Sequence, residues 1–384
     1  MKKLILPLMM LAAFGCSQKK NDSAAVTTLS DYSCAPVNLS VGGANSVENK
    51  VIQNVSKNVI LATYQGLENA TANLHAQVLV LETSRTQQNL NKAQDLWRES
   101  RKYWESTESF LFGPVESLSV DPQIDTWPLN VPVLQSILQS SSAITPEVIR
   151  SSGTDLKGFH TVEYILFGDG KATNTKNINQ LTNREVEYLK ATTQVLAENT
   201  AVLSKAWTTQ SDPDVPGSPA YLTLITEPGF SNPLYSSNQA VVAEFLNGMI
   251  TIADEVGNGK IADPLGDNIS KANPAAEESP FSWNSITDFS NNIRSIKLMY
   301  EGSDTNNGLG VKALLQARSI PLADKVSGQI DRAIQKIQDI SGDGQPFGKA
   351  ILDPAGRAKV LEAQNELSAL HSLLSQEVQT CFQR

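Results

Sequence analysis

The sequence predicts an all-α protein made of two helical bundles. Apolar residues recur at intervals of three and four over long stretches, which is the period of a helix that buries one face, and clear alternating strands are absent. Residues 212–236, rich in Pro, Gly and Ser, interrupt this pattern, with roughly four helices on each side. We therefore expect an N-terminal bundle over residues 35–211 and a C-terminal bundle over residues 237–384.

The individual helices follow from the same period. Long helices are predicted over residues 46–82, 87–112, 177–207, 238–256, 285–300, 309–340 and 356–381. Shorter helices are predicted over residues 131–140 and 146–151. Turn-forming Gly, Pro and Asn residues separate them.

The chain begins with a pattern typical of a lipoprotein signal peptide. Lys2 and Lys3 precede an apolar run, residues 4–14, that is too short to span a bilayer stably. The run closes on small residues before Cys16. We interpret residues 1–15 as the signal peptide and residues 16–34 as the lipidated cysteine and a flexible tether. The alternative is a buried apolar strand with an incidental cysteine.

This interpretation predicts an envelope lipoprotein that faces the periplasm and is held to a membrane by the lipid on Cys16. Ser17 and Gln18 do not resemble an inner-membrane retention signal, which favours the outer membrane in a Gram-negative host. Without residues 1–15 the chain keeps 29 basic against 40 acidic side chains, a formal charge of −11. Such an acidic body argues against nucleic acid as a partner and suits a protein that meets cations.

Two cysteines remain once Cys16 carries lipid. Cys34 and Cys381 lie at the two ends of the predicted folded body. An even pair outside the cytoplasm indicates a disulfide. Two unpaired buried thiols are the alternative.

The most informative segment is residues 158–168, which begins and ends with glycine. On a helix, His160 and Glu163 are three positions apart and project from one face. An imidazole beside a carboxylate is half of a metal-binding set or a proton-handling pair. Gly158 lets a neighbouring backbone approach closely. His75 and His371 are interpreted as helix-surface or boundary residues.

A charged stripe runs along the predicted helix 87–112. Its members are spaced by three and four positions: Arg98, Arg101, Glu105, Glu108 and Phe112. Spacing alone favours a solvated face with Arg–Glu pairs. The alternative is that its acids join the His160 site.

Four blocks of the sequence resemble the imelysin family, a group of bacterial envelope proteins. They are Gly-x-His-x-x-Glu with the Tyr-x-Leu-Phe-Gly that follows it, Trp97–Val115, Ile124–Leu129, and Glu277–Asn284 leading into Asp288. The resemblance implies a duplicated helical-bundle architecture with a polar cluster between the domains. It also implies that Glu105, Glu108 and Asp125 lie within reach of the motif helix.

The resemblance implies that the site binds a metal ion, and we expect iron first and zinc second. His160, Glu163 and Glu108 are the expected ligands. The residues expected to bind a ligand or line the interface are Gly158, Arg101, Glu105, Asp125, Trp127, Glu277, Ser282, Asn284 and Asp288. For residues 277–284, a polar loop that caps the next helix through Ser285 or Thr287 is an equal alternative.

Three functions follow. The first is a binding protein that holds iron or an iron-bearing ligand, with a role in iron uptake and iron-transport components as partners. The second is a zinc metallopeptidase with Glu163 as ligand or base, although the chain lacks the usual His-Glu-x-x-His motif. The third is an adaptor lipoprotein whose polar cluster only locks two bundles together.

Overall fold

Helices are the regular elements of this protein. The structure, a computed structural model, describes residues 34–35, 46–303, 308–341 and 345–383. Within these ranges every regular element is a helix, so the all-α prediction is confirmed. The predicted signal peptide, Cys16 and the rest of the tether up to residue 33 lie outside the described residues.

The first half of the chain is built on three long helices. Its helices are α1 (Val47–Asn54), α2 (Ala62–Thr83), α3 (Gln87–Glu105), α4 (Pro114–Ser117), α5 (Val120–Ile124), α6 (Val131–Gln139), α7 (Pro146–Ser151), α8 (Phe159–Phe167) and α9 (Asn183–Thr208). A π-helical segment, Val55–Leu61, joins α1 to α2. Helix α2 packs against both α3 and α9, and α8 also packs against both.

The second half is built on four long helices. Its helices are α10 (Tyr221–Thr226), α11 (Asn238–Glu255), α12 (Ala262–Leu265), α13 (Ser285–Glu301), α14 (Val311–Gln316), α15 (Ile320–Asp339), α16 (Phe347–Ala350), α17 (Pro354–Ser372) and α18 (Gln379–Gln383). The π-helical segments Val256–Ile261 and Leu373–Val378 join α11 to α12 and α17 to α18. Helices α13, α15 and α17 pack in succession, and α11 packs against α13 and α17.

Side-chain caps explain where the long helices begin. Thr86 accepts a hydrogen bond from the backbone N–H of Asn89 at the start of α3. Thr182 and Glu185 form a reciprocal capping box at the start of α9. Because the first N–H groups of a helix have no partner within it, such oxygens stabilise the start.

Three predicted boundaries are wrong, each for a local reason. Helix α3 ends at Glu105 rather than at residue 112, and the chain turns through a 3₁₀ segment, Glu108–Phe110, before Gly113 at φ 67° and Pro114. The predicted helix 309–340 is broken between α14 and α15, where a proline lies in the first turn of α15. The helix predicted from residue 177 begins at Asn183, because residues 178–180 form a separate 3₁₀ turn.

The two halves share one hydrophobic core. Buried apolar residues from α1 through α18 belong to a single connected cluster, and the described residues form one compact unit. The segment predicted as a plain connection contains α10, whose Tyr221 ring packs on Trp207 of α9. The division into bundles over residues 35–211 and 237–384 stays a prediction.

Among the described residues, none of the helices has the length and apolar character needed to cross a membrane.

A disulfide between Cys34 and Cys381 joins the beginning of the described chain to α18. The link spans 347 positions of sequence. The backbone N–H of Ala35 also donates to the carbonyl of Arg318 at 3.1 Å, so the chain after Cys34 is held against the end of α14. The two ends of the described chain are therefore fastened to the same region of the second half.

Removing this disulfide should lower the free energy of unfolding by about 2–5 kcal/mol, because the cross-link restricts the unfolded chain. Urea unfolding of the protein with and without a reductant measures the effect. A variant with both Cys34→Ala and Cys381→Ala is the matched control. It should match the reduced protein and should not respond to reductant; a variant as stable as the oxidised protein would contradict the prediction.

Candidate metal site

Arg101 is the centre of a buried ion cluster. Its side chain, on α3, is fully shielded from solvent. Its two Nη atoms donate hydrogen bonds to Asp125 and, over 2.6 Å, to Glu278 Oε1. Glu105 Oε1 lies 2.7 Å from Nη2, and Asp288 Oδ2 lies 3.6 Å from Nε. One guanidinium thus draws together four carboxylates from four parts of the chain.

Helix α8 is placed by a close backbone contact. Gly158 has a φ of +80°, and a Cβ at this position would collide with the carbonyl oxygen of Ile124 at the end of α5. The indole of Trp97 on α3 donates to the carbonyl of the first residue of α8 at 3.0 Å. These contacts hold the start of α8 against α3 and α5, so that His160 faces Asp125.

The His160 ring is almost fully buried, with 1% of its surface exposed. Its Nδ1 lies 3.2 Å from Glu163 Oε2. Its Nε2 lies 3.2 Å from Asp125 Oδ1, yet this nitrogen has no partner with hydrogen-bond geometry in the described part of the chain. The Trp127 ring packs on the imidazole at a centroid distance of 4.8 Å. Metal-binding histidines are typically arranged in this way, with a carboxylate orienting the nitrogen that does not bind.

Glu163 is engaged on both carboxylate oxygens. Oε2 contacts His160, and Oε1 accepts hydrogen bonds from the backbone N–H and the hydroxyl of Ser282 at 2.8 and 2.7 Å. Because Ser282 belongs to the loop before α13, this contact ties α8 of the first half to the second half.

The loop 277–284 faces the ion cluster rather than capping α13. Asn284 is the N-cap residue, but its side chain makes no capping bond; it donates instead to Asp288 Oδ1 at 2.7 Å. The Ser285 hydroxyl donates to Glu277 Oε1 at 2.7 Å. The alternative of a cap from Ser285 or Thr287 is therefore wrong.

A second cation, Lys260, enters the cluster from the π-helical segment Val256–Ile261. Its Nζ lies 3.2 Å from Glu278 Oε2, 3.5 Å from Glu108 Oε1 and 3.7 Å from Glu105 Oε2. The side chain is 12% exposed, so the ammonium sits where the cluster meets the surface. Lys260 was not expected from the sequence, because no local pattern around it indicates an ion site.

The cluster carries more acidic than basic groups. Six carboxylates, those of Glu105, Glu108, Asp125, Glu163, Glu278 and Asp288, face the cations of Arg101 and Lys260 and the imidazole of His160. Even with the imidazole protonated, three negative charges would stay uncompensated in a buried place. Buried charge without a partner is costly, so the cluster must hold protons or bind a cation.

Burial and the neighbouring charges shift the pKa values of the cluster in both directions. Burial raises the pKa of Glu108 to about 8 and that of Asp288 to about 6. Burial also raises the pKa of Glu105 well above its ordinary value. Burial acts in the same sense on Asp125, but the positive charges of Arg101 and of the nearby His160 ring outweigh it and hold that pKa well below its usual range. For His160, burial lowers the pKa, and the contacts with Asp125 and Glu163 outweigh it and raise the pKa to about 9.

Two sets of three side chains are close enough to share one metal ion. In the first set, one ligand atom each of Asp125, His160 and Glu278 lie within 4.8 Å of one another. The second set consists of Glu105, Glu108 and Asp125, under the same limit. A cleft of about 680 Å³ is lined by Lys260 and by members of both sets, namely Glu108, Asp125 and Glu278. Imidazole and carboxylate ligands in this combination suit iron, manganese or zinc.

The structure rearranges the expected ligand set. His160 and Glu163 lie together, whereas Glu108 belongs to the second set, and Glu163 orients the ring instead of facing the cleft. Glu278, which the sequence did not single out as a ligand, takes a place beside His160. Its position in the fourth family-like block was the available signal.

The solvated-face interpretation of the charged stripe is wrong for three of its members. Arg101, Glu105 and Glu108 are 0%, 0% and 8% exposed. They are buried because α3 ends at Glu105 and α13 packs across this end, where the amide of Asn292 donates to Glu105. Arg98 alone of the stripe's charged residues is partly exposed, with its guanidinium over the Phe167 ring.

The metal-free protein should lose stability as pH rises from about 5.5 to 9. A carboxyl whose folded pKa lies above the unfolded value of about 4 keeps its proton in the folded protein, and this contribution is lost as pH rises through the folded value. The raised pKa values of Glu108, Asp288 and His160 all act in this direction. Urea unfolding at a series of pH values in the presence of a chelator measures the slope.

A Glu108→Gln variant should flatten this slope, since the amide cannot lose a proton. Glu99→Gln, a change at an exposed residue of α3, is the matched control and should leave the slope unchanged. Stability that is constant or increases over this pH range would contradict the prediction.

The chain is similar to known proteins over most of its length. The family model described as Imelysin matches residues 60–374. The iron-regulated protein A of Synechococcus elongatus is 26% identical over 335 residues, which cover 86% of this chain and 86% of that protein.

Two crystal structures share the fold. That of an iron-regulated protein A precursor from Parabacteroides distasonis has a TM-score of 0.73 and 27% identity, covering 88% of this chain and 96% of its own. That of an imelysin-like protein from Psychrobacter arcticum has a TM-score of 0.63 and 15% identity, covering 89% and 98%, and supports the fold alone. Since the family model spans most of the chain and includes every residue of the ion cluster, this protein belongs to the imelysin family.

Proposed function

We propose that this protein is a lipid-anchored binding protein that holds a divalent or trivalent metal ion, iron first among them, at Asp125, His160 and Glu278. The observation that carries the proposal is the Nε2 atom of His160. It is buried, it has no hydrogen-bond partner among the described residues, and it faces two carboxylates at ligand spacing. A polar atom left in this state is unfavourable unless a ligand binds to it.

The surroundings of His160 support a metal rather than a proton relay. Glu163 contacts Nδ1 of the ring and is itself held by Ser282, so the ring is fixed from the side opposite Nε2. Such outer partners hold a histidine in the orientation that a metal requires. The uncompensated carboxylates of the cluster supply the negative charge that a divalent or trivalent ion needs.

Iron is the first candidate because two similar proteins carry the name iron-regulated protein A. One imidazole with carboxylate oxygens suits iron(II), iron(III), manganese and zinc, and does not suit copper(I). A bare ion and a chelated iron both meet this chemistry. The role we propose is capture of iron in the envelope and delivery to iron-transport components.

A zinc peptidase fits the site less well. Among the described residues the cluster offers one histidine, since His75 bonds to Thr193 on α9 and His371 lies by Asp254 of α11. Glu163, the candidate base, has both oxygens occupied by Ser282 and His160. Protein cleavage that is lost with chelator and in Glu163→Gln would favour the peptidase instead.

Replacing His160 by alanine should weaken metal binding about 100-fold or more, because loss of an outer partner alone typically costs 10–100-fold. Titration calorimetry with Mn²⁺ in air, and with Fe²⁺ under anaerobic conditions, measures the affinity. His371→Ala is the matched control and should bind like the unchanged protein.

Binding that is the same in His160→Ala and the unchanged protein would rule out this site. If neither protein binds metal and His160→Ala lowers the free energy of unfolding by several kcal/mol, the cluster serves to lock the two halves together, as in the adaptor hypothesis.

Cys16→Ser should release the protein from membranes. The proposed lipid on Cys16 is the expected membrane attachment, because no described helix can span a bilayer. Fractionation of cells that express the full chain checks this, with Cys34→Ser as the control that keeps Cys16. Membrane retention of the Cys16 variant would contradict the lipoprotein proposal.

A further inference from the structure

The carboxylate of Glu278 interacts with two cations in this structure. Oε1 accepts a hydrogen bond from Arg101 Nη2 at 2.6 Å, and Oε2 lies 3.2 Å from Lys260 Nζ. A metal bound to His160 and Asp125 would need one of these oxygens. A metal at this place would add positive charge next to both cations, so we expect the cation that can move at lower cost to leave.

Arg101 is not free to leave. It is fully buried on α3 and is surrounded by four carboxylates, with the Phe159 ring at 5.5 Å from its guanidinium carbon. Moving it would expose several buried charges to one another without a cation between them.

Lys260, in contrast, lies at the boundary with solvent. It lines the cleft of about 680 Å³, and it is the one cation among the described residues that line it, alongside six carboxylates. Its ammonium makes no hydrogen bond of good geometry in the described structure, so charge attraction alone holds it at 3.2 to 3.7 Å. A lysine stem has four rotatable bonds, which allow the ammonium to swing into the cleft without a change in the backbone.

The backbone that carries Lys260 is π-helical. It belongs to the π-helical segment Val256–Ile261, which follows directly on α11. Gly257 in this segment packs against Leu367 of α17, and a Cβ there would lie 3.3 Å from it. Such segments occur frequently at functional sites.

We propose that Lys260 is an exchangeable internal counter-ion: its ammonium leaves Glu278 when a divalent or trivalent cation binds, and it thereby excludes monovalent cations. This inference rests on the proposed metal-binding function and specifies its selectivity. Replacing the ammonium by a monovalent ion leaves the attraction to the carboxylates about the same. An ion with two or three positive charges is attracted to them more strongly than the ammonium was.

The test is the affinity for Mn²⁺, measured by titration calorimetry. Lys260→Met should bind Mn²⁺ about tenfold or more tightly, because the ion no longer competes with a charge close by. Lys260→Arg should bind more weakly than the unchanged protein, since a guanidinium pairs more firmly with carboxylates. Lys271→Met, which removes an ammonium from a side chain that is 65% exposed, is the matched control and should have no effect.

A second measurement isolates the selectivity. At equal ionic strength, replacing tetramethylammonium chloride by sodium chloride should weaken Mn²⁺ binding to Lys260→Met and leave the unchanged protein unaffected. A merely structural lysine would not produce this difference.

The outcomes separate the two proposals. If the unchanged protein binds Mn²⁺ through His160 but Lys260→Met binds no more tightly, the counter-ion role alone is overturned. If neither protein binds, both proposals are overturned. If Lys260→Met does not fold, judged by circular dichroism, the arginine variant decides, and affinity equal to or above that of the unchanged protein overturns the role.

Discussion

The buried guanidinium of Arg101 is the interaction on which the rest of the structure depends. A cation without solvent access is stable only if acidic partners surround it, and this one takes them from α3, from the residue after α5, from the loop before α13 and from α13 itself. The same contacts bring both halves of the chain to one point. The geometry of the ion cluster and the packing of the helices are therefore set together.

The acids around Arg101 exceed what it can neutralise, and this excess links stability to ligand binding. Lys260 compensates part of it from the cleft, and burial raises the pKa values of Glu108 and Asp288, which favours proton uptake by these two carboxyls. In the proposed site a metal ion would displace protons and the ammonium, so its binding would depend on pH and on its charge.

The limits of prediction are clearest on α3. The three-and-four spacing of Arg101, Glu105 and Glu108 is the same for a solvated face and for a buried cluster. Spacing shows which residues lie on one face of a helix, but it does not show whether another part of the protein packs on that face. The short-range hydroxyl bonds that end the helix, such as Thr107 Oγ1 to the carbonyl of Trp104 at 2.6 Å, are equally hard to anticipate. Lys260 was missed since its partners lie far away in sequence.

The sequence by itself determined the helical fold class, the start of α3, the Gly-x-His-x-x-Glu helix and the family, because each depends on periodicity or on residues close together in the chain. Only the tertiary structure decided that Glu278 rather than Glu163 faces the cleft beside His160, and that Lys260 stands between the cleft and the acids. The contacts of Glu278 with His160 and of Lys260 with Glu108 join positions more than a hundred residues apart. They arise from how α3, α8 and α13 pack, which no local pattern encodes.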